Sequence, residues 1–408
     1  MGNLVVGQSG GPTAVINSSL AGVYQSARDN GIEKVYGMHY GVEGLIRDDL
    51  ILLNECFPHK SDLSLLKRTP AMFLGTCRYK LPKAEEDPEV YEAIFHRLEQ
   101  YHISAFLYIG GNDSMDTIQQ LSDYAASHKK PQKFIGIPKT IDNDLPATDH
   151  TPGYGSAAKF IGTSIKEIVR DTESFYGKDP KISIVEIMGR NAGWLTAASA
   201  LSRDIDCIGP DLILLPERIF QPEAFIEQIR GLAKKKKSIV IAASEGIKTA
   251  DGKLVCELSG SYAFTDPFGH RQLSGSGKVL GDLISKHLGY KNRVIEFSIL
   301  QRCATHLASQ TDIDEAFNCG YIGVEKALAG ETGKMVTIQV RKRSPYLVAY
   351  ETKDIHGIAN EEKRVPDEMI SKDGTDITEE FIRYARPLIS GIQLPYDSAG
   401  VPRHTTLK

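Results

Sequence analysis

Two short turns of this 408-residue chain carry the side chains needed to move a phosphoryl group. Pro138-Lys139-Thr140-Ile141-Asp142-Asn143-Asp144 follows the apolar run 134–137 and supplies a lysine, a hydroxyl and two aspartates within a few residues. Gly110-Gly111-Asn112-Asp113-Ser114 follows the apolar run 105–109 and supplies bare backbone and a hydroxyl. Amides and cations suit phosphate oxygens, and a carboxylate suits the proton of an attacking hydroxyl. A third turn, Gly10-Gly11, follows 4–6 and precedes a helix starting near 12–14. Glycines there let amides approach a phosphate beside a helix N-terminus, although many such turns use glycine only for its backbone freedom. Other nucleotide and metal patterns are missing. Gly277-Lys278 is followed by Val279 and lacks the upstream glycine of a P-loop. The Asp-Asn-Asp run lacks the glycine and glutamate of an EF-hand, and no His-Glu-x-x-His occurs.

The elements that must position these turns alternate. Strand patterns at 4–6, 105–109, 134–137, 181–187, 213–215 and 238–243 are interleaved with helical patterns. The helices are expected at 14–30, 114–128, 191–202, 222–236 and 278–288. This repetition predicts an α/β fold with a parallel sheet and helices on both faces. Each turn then lies at a carboxyl end of a strand, where such sheets bind ligands. The stretch 249–277 reads as an insertion with a hairpin near Asp251-Gly252. The lysines 234–237 fit the C-terminal end of a helix.

Composition bounds the reading further. The chain is 41% apolar and 25% charged with net charge −4, ordinary for a globular protein of about two domains. Nothing in that balance suggests a nucleic-acid binder, and no aromatic stacking array is present. No apolar run approaches a membrane span of about 18 residues. Six scattered cysteines without a C-x-x-C pair point to a reduced, cytoplasmic enzyme with free thiols.

The turns, in this order and spacing, resemble the phosphofructokinase family, from Gly7-Gln8-Ser9-Gly10-Gly11 to Gln301-Arg302. The resemblance implies two doubly wound, Rossmann-like lobes with the site in the cleft between them. Residues 1–153 with 301–360 would bind the phosphoryl donor, and 154–300 with 361–408 the sugar phosphate. Members of the family use either ATP or pyrophosphate. The ATP enzymes usually have glycine at the positions of Asp113 and Lys139; the pyrophosphate enzymes usually have aspartate and lysine. The resemblance therefore implies transfer from pyrophosphate to the C1 hydroxyl of fructose 6-phosphate, with Mg²⁺. Asp113 would crowd and repel the α-phosphate of ATP, and Lys139 would hold the compact pyrophosphate. An ATP-dependent enzyme and a non-catalytic subunit binding phosphate ligands are the alternatives.

Residue by residue, the same likeness makes Asp142 the base, with Lys139 and Thr140 beside the reacting group. Gly11, Arg78 in Leu74-Gly75-Thr76-Cys77-Arg78, Asn112, Asp113 and Ser114 would bind the donor. Asn112 stands where the family commonly has a magnesium-associated aspartate; its carbonyl oxygen with Asp113 would hold the metal, the missing charge coming from Asp113 or Asp142. Asp144 would be held by Arg190 and fix geometry. Met188, Gly189, Arg190, Glu245 and Arg302 would bind the sugar phosphate. Lys181 and Arg293 would reach a neighbouring subunit's pocket, which implies a homo-oligomer, a dimer or tetramer. Ile299 replaces a histidine, Val42 replaces an aromatic residue that packs on adenine, and Ala21 and Gln25 replace effector-binding arginines.

Overall fold

The computed structural model describes residues 2–77, 79–175, 177–259, 274–359, 361–392, 394, 397, 398 and 400–407. Eleven strands build two sheets: β1 (Asn3–Gln8), β2 (Val35–Met38), β3 (Leu50–Leu52), β4 (Ile103–Gly110), β5 (Lys133–Pro138), β6 (Lys181–Ile187), β7 (Leu212–Leu214), β8 (Ser238–Ser244), β9 (Asn292–Glu296), β10 (Lys334–Arg343) and β11 (Tyr346–Asp354). The larger sheet has the order β11-β10-β5-β4-β1-β2-β3, and the smaller has the order β7-β8-β6-β9.

The smaller sheet is parallel throughout. In the larger sheet β2, β1, β4, β5 and β10 are parallel, with β3 and β11 antiparallel at the two edges. The expectation of a wholly parallel α/β sheet thus needs correction at both edges. The β10–β11 hairpin places residue pairs such as Ile338 and Tyr350 opposite one another, and it lay outside the sequence patterns recognised above.

Strand alternation builds the cores. On one face of the larger sheet lie Leu4, Val6, Leu107, Ile109, Ile135 and Ile137. Val5, Phe106, Tyr108 and Phe134 line the other. The period of two places every second side chain on one face, and helices cover both. The smaller sheet repeats this with Val185, Ile187, Val240 and Ala242 against Ile182, Ile184, Ile239 and Ile241. Val365, Ile370, Ile377, Phe381 and Leu388 from the C-terminal segment join the first of these two cores.

Several boundaries are adjusted. The helix expected at 14–30 spans Ile16–Asp29, and that expected at 114–128 spans Asn112–Ser127. The region 191–202 is a short helix Trp194–Ala197 continued by a 3₁₀ turn, Ala198–Ser202. The turn at Asp251-Gly252 is present, with Thr249 N donating to Lys253 O at 2.9 Å. Residues 260–273 of the expected insertion lie outside the described residues. No described helix is long and apolar enough to cross a membrane, and all six cysteines are free.

Candidate active site

The larger sheet reverses its strand order at β1, which has β2 on one side and β4 on the other. The turns after β1 and β4 therefore border a topological switch point, where open α/β sheets hold ligands. The smaller sheet brings the ends of β6, β8 and β9 to face them. Between the two sheets lies a cleft of about 400 Å³. Gly10, Gly11, Asn112, Asp113 and Ser114 line it from the turns after β1 and β4. Lys139, Thr140, Asp142 and Asp144 enter it from the turn after β5. The smaller sheet contributes Met188, Arg190, Glu245 and Arg302.

Buried amides fix the first turn. Gln8 Nε2 donates to Asn17 Oδ1 at 2.9 Å, and Gln8 Oε1 accepts from Leu74 N at 2.9 Å. Asn17 Oδ1 also accepts from Phe73 N at 3.0 Å, and Thr76 Oγ1 donates to Gly10 O at 3.0 Å. Together these tie the 73–77 loop to the Gly10-Gly11 turn. Arg78 lies outside the described residues. Gly10 has φ of +80°, and a Cβ there would stand 3.1 Å from Lys139 Nζ, so glycine serves both the backbone and the lysine's approach.

The turn after β5 is fixed by its middle residue. Asn143 has φ of +56°, a conformation asparagine tolerates better than most residues. It is fully buried, its Nδ2 donating to Tyr384 Oη at 2.8 Å and its Oδ1 accepting from Thr151 N at 3.1 Å. With Asn143 turned to the core, Asp142 and Asp144 on either side are left to the cleft. Asp142 N donates to Thr140 Oγ1 at 3.1 Å. Thr140 N in turn donates to Pro152 O at 3.2 Å. The next helix, Tyr154–Glu173, is capped from a distance: Asp312 accepts from Gly153 N at 2.9 Å and Ser156 N at 2.8 Å.

Lys139 is only 2% exposed, and its Nζ donates to Gly11 O at 2.8 Å across the cleft. No ion pair joins it to Asp113, which is exposed at the cleft mouth in the first turn of helix Asn112–Ser127. Burial pushes the Lys139 ammonium down to about 8, against the pull of Asp142 and Asp144. Burial likewise pushes Asp142 upward, against the fields of Lys139, Arg190 and Arg302. Burial, with the nearby Asp142 carboxylate, raises Asp144 to about 7. Lys363, from a segment that sequence reading did not connect with the site, is a cation acting on Asp144 beside Lys139.

Glu245 accepts weakly from Gly189 N at 3.4 Å, and burial lifts it to about 8. The raised proton affinity favours the acid form near neutral pH, which can both donate to and accept from a sugar hydroxyl. Arg302 follows β9 on the short helix Leu300–Cys303, and its guanidinium would stand 3.5 Å from a Cβ on Gly11. Asn191, Ala192 and Glu362 also line the cleft and were missed from sequence. Asn191 Nδ2 donates to Glu362 Oε1 at 2.9 Å, a contact across 171 positions that no local pattern announces.

Lys181 and Arg293 lie elsewhere. Lys181 opens β6, whereas Met188 follows its last residue, so they are separated by about 20 Å of strand. Arg293 opposes Ser183 in the register and approaches Asp171 at 3.6 Å. Both cations line a separate hollow of about 130 Å³ at the amino ends of the smaller sheet, away from their own chain's cleft. Val42 is fully buried beneath Tyr108, whose hydroxyl accepts from Val42 N at 3.2 Å, so it presents no face to a ligand.

A hard cation finds one suitable partner in the cleft. Asn112 Oδ1 is buried without a hydrogen-bond partner, next to the Asp113 carboxylate. Among the described residues no three His, Cys, Asp or Glu side chains converge as a metal cage. That pattern suits Mg²⁺, which is commonly held by one or two protein oxygens together with substrate phosphates.

Comparison with known proteins agrees with this geometry. The model of the phosphofructokinase family ("Phosphofructokinase") matches residues 3–314. The chain is 41% identical over 408 residues to the pyrophosphate–fructose 6-phosphate 1-phosphotransferase of Xanthomonas campestris pv. campestris, covering 100% of this chain and 96% of that one. It is 40% identical to the protein of that name from Methylococcus capsulatus, covering 99% and 96% of the two chains. The crystal structure of a pyrophosphate-dependent phosphofructokinase from Marinobacter aquaeolei superposes with a TM-score of 0.87 at 35% identity, covering 99% of this chain and 95% of that one.

The position and field of Asp142 set an expected outcome. Asp142→Ser should lower kcat by about 10²–10⁴-fold while a calorimetric titration still shows fructose 6-phosphate binding. Because burial raises the Asp142 carboxyl, wild-type activity should fall with decreasing pH above the usual carboxylate range near 4. A variant keeping more than about a tenth of wild-type kcat would remove Asp142 from the role of base.

Proposed function

Because the chain belongs to the phosphofructokinase family, we infer that it transfers a phosphoryl group from pyrophosphate to the C1 hydroxyl of fructose 6-phosphate. The products are fructose 1,6-bisphosphate and phosphate, and the step is reversible because the bonds exchanged are of comparable energy. The observation that carries the choice of donor is the buried Lys139 ammonium on the Gly11 carbonyl, facing the Asp142 turn. It puts a point cation where a compact anhydride needs one, and Asp113 puts negative charge at the mouth where a nucleotide's further phosphate would lie.

The proposed chemistry follows the site. Asp142 accepts the C1 hydroxyl proton as that oxygen bonds to the near phosphorus of pyrophosphate. The bridging P–O bond breaks, and its electron pair leaves with phosphate. Lys139, the N-terminal amides of helix Asn112–Ser127 and the Gly10-Gly11 turn stabilise charge on the transferring group. Thr140 holds the Asp142 carboxylate. Asn112 and Asp113 would hold Mg²⁺, which supplies neutralising charge at the phosphate oxygens. Met188, Gly189, Arg190 and Glu245 position the sugar, and Arg302 clamps its 6-phosphate. The larger sheet with its following segment, 1–153 with 301–360, serves the donor, and 154–300 with 361–408 serves the sugar.

The placement of Lys181 and Arg293 supports a homo-oligomer in which each completes a neighbour's acceptor pocket. Ala21 is fully buried and Gln25 bonds Asp29 at 2.8 Å, so neither supplies a cation for an anionic effector. The enzyme is accordingly read as non-allosteric, and its unbridged cysteines support reading it as cytoplasmic.

Two measurements test this reading. Wild type should prefer pyrophosphate to ATP by at least about a hundredfold in kcat/KM. Asp113→Gly should raise kcat/KM for ATP by about tenfold, the effect of relieving ~1.4 kcal/mol of like-charge repulsion. Lys139→Gly should mainly damage pyrophosphate use. A wild type that prefers ATP, or Asp113→Gly without effect on ATP alongside Lys139→Gly that spares pyrophosphate, contradicts the donor assignment. For the shared pocket, mixing inactive Asp142→Ser and Arg293→Ala subunits should restore activity, since a hybrid contains an intact pocket. Full activity of a demonstrated monomer contradicts it.

A further inference from the structure

Behind the catalytic turn lies a half-buried cation that the reaction described above does not use. Lys363 sits in the 361–365 segment, and its Nζ donates to Thr148 O at 3.1 Å and Asp149 O at 2.8 Å. Its own amide donates to Asp144 O at 2.7 Å. Its carbonyl accepts from Trp194 Nε1 at 2.8 Å, and its ammonium lies 5.4 Å from the Trp194 ring centre. The flanking residues continue the attachment: Glu362 accepts from Asn191, and Val365 N donates to Glu217 Oε1 at 3.0 Å. Glu217 Oε1 also accepts from Gly193 N at 2.8 Å. Three residues of one short segment, Glu362, Lys363 and Val365, thus join the Asp142–Asp144 turn to the 191–194 wall on the sugar side of the cleft.

We propose that Lys363 is a positioning residue for phosphoryl transfer, holding the Asp142–Asp144 turn at its working distance from the sugar wall and keeping positive charge beside Asp144. Three observations carry this. A lysine partly withdrawn from water is costly unless its protons are used, and here they go to the two carbonyls just beyond the turn. The same residue's amide holds Asp144 itself. Its carbonyl and ring contact are on Trp194, next to the cleft residues Asn191 and Ala192. A purely local structural lysine would not touch both walls.

The charged surroundings are mixed. Asp144 and Asp149 face the ammonium from the turn and the following loop, and Asp149 is shared with His150 at 2.9 Å and Arg343 at 2.6 Å. Glu362 and Arg364 flank it on its own segment, and Glu217 anchors that segment from beyond β7. Burial pushes Lys363 down to about 8, against the pull of Asp149 and Asp144, so it remains mostly charged at neutral pH.

The inference rests on Asp142 as base, and the test separates the two. In the full-length enzyme, Lys363→Met removes the charge and the donor while filling the space. We expect kcat with pyrophosphate and Mg²⁺ to fall about 10–100-fold and calorimetric Kd for fructose 6-phosphate to stay within about threefold. The acid limb of the kcat profile should move upward, because Asp144 loses the cation that faces it and holds its proton more tightly within the catalytic turn. A kcat within about twofold of wild type, or a loss that only tracks the folded fraction with an unmoved acid limb, overturns the proposal. If Lys363→Met does not fold, Trp194→Phe removes the donor to the Lys363 carbonyl together with part of the ring beside the ammonium. It should lower kcat about 3–10-fold with an unmoved acid limb, and unchanged kcat overturns the proposal. An active Asp142→Ser enzyme instead signals failure of the base assignment, whatever Lys363 does.

Discussion

The site depends on two opposite charges drawn away from water together, the buried Lys139 ammonium and the half-buried Asp142 carboxylate. Each alone would cost several kcal/mol to bury. Burial pulls both toward neutrality, the lysine down to about 8 and the aspartate above its usual range, and each opposes that pull on the other. Neighbours divide the remaining work. Gly11 O accepts from Lys139, Thr140 bonds the Asp142 carboxylate, and Arg190 and Arg302 add positive field. A base with a raised proton affinity beside a fixed cation suits a reaction that takes a proton from a hydroxyl while charge grows on a phosphoryl group.

The two sheets exist, in functional terms, to keep that arrangement closed on both sides. The larger sheet delivers the donor turns at its switch point, and the smaller delivers the sugar wall at the ends of β6, β8 and β9. Between them, the ties are made by side chains far apart in sequence. Asp312 caps the helix that follows the catalytic turn, Asn143 anchors that turn on Tyr384, and the 361–365 segment fastens it to Trp194. His150, which accompanies Asp149 beneath the same turn, is fully buried. Burial alone would lower it, but Glu315 and Asp149 raise it to about 9, so it adds a further cation to this base.

What was legible in the sequence followed from locality. Each chemical turn comes straight after a continuous apolar run, so strand and ligand-facing end could be read together, and β6 fell at its expected bounds. Lys139, Asp142, Asp144, Glu245 and Arg302 all reach the cleft. Contacts between distant segments were not legible. Lys363 and Glu362 lie more than two hundred positions from the catalytic turn in a charged stretch without periodicity. Gln8 and Asn17 read as ordinary polar residues because nothing local marks an amide that will be buried. The antiparallel edges were missed because β3 is three residues long and β10 and β11 alternate exposed and buried positions unevenly. Val42 could be matched by position, yet its burial beneath Tyr108 depends on strand β4.

The central claim is that Lys139 and Asp142 act as one unit. A double-mutant cycle on kcat/KM with pyrophosphate, using Lys139→Met, Asp142→Asn and the double variant, tests it most directly. If each charge sustains the other, either single change disables the unit, and the double variant should lie within about tenfold of the worse single one. If the two losses instead multiply, so that the double variant shows the full product of both, the charges act independently and the account of this site is wrong.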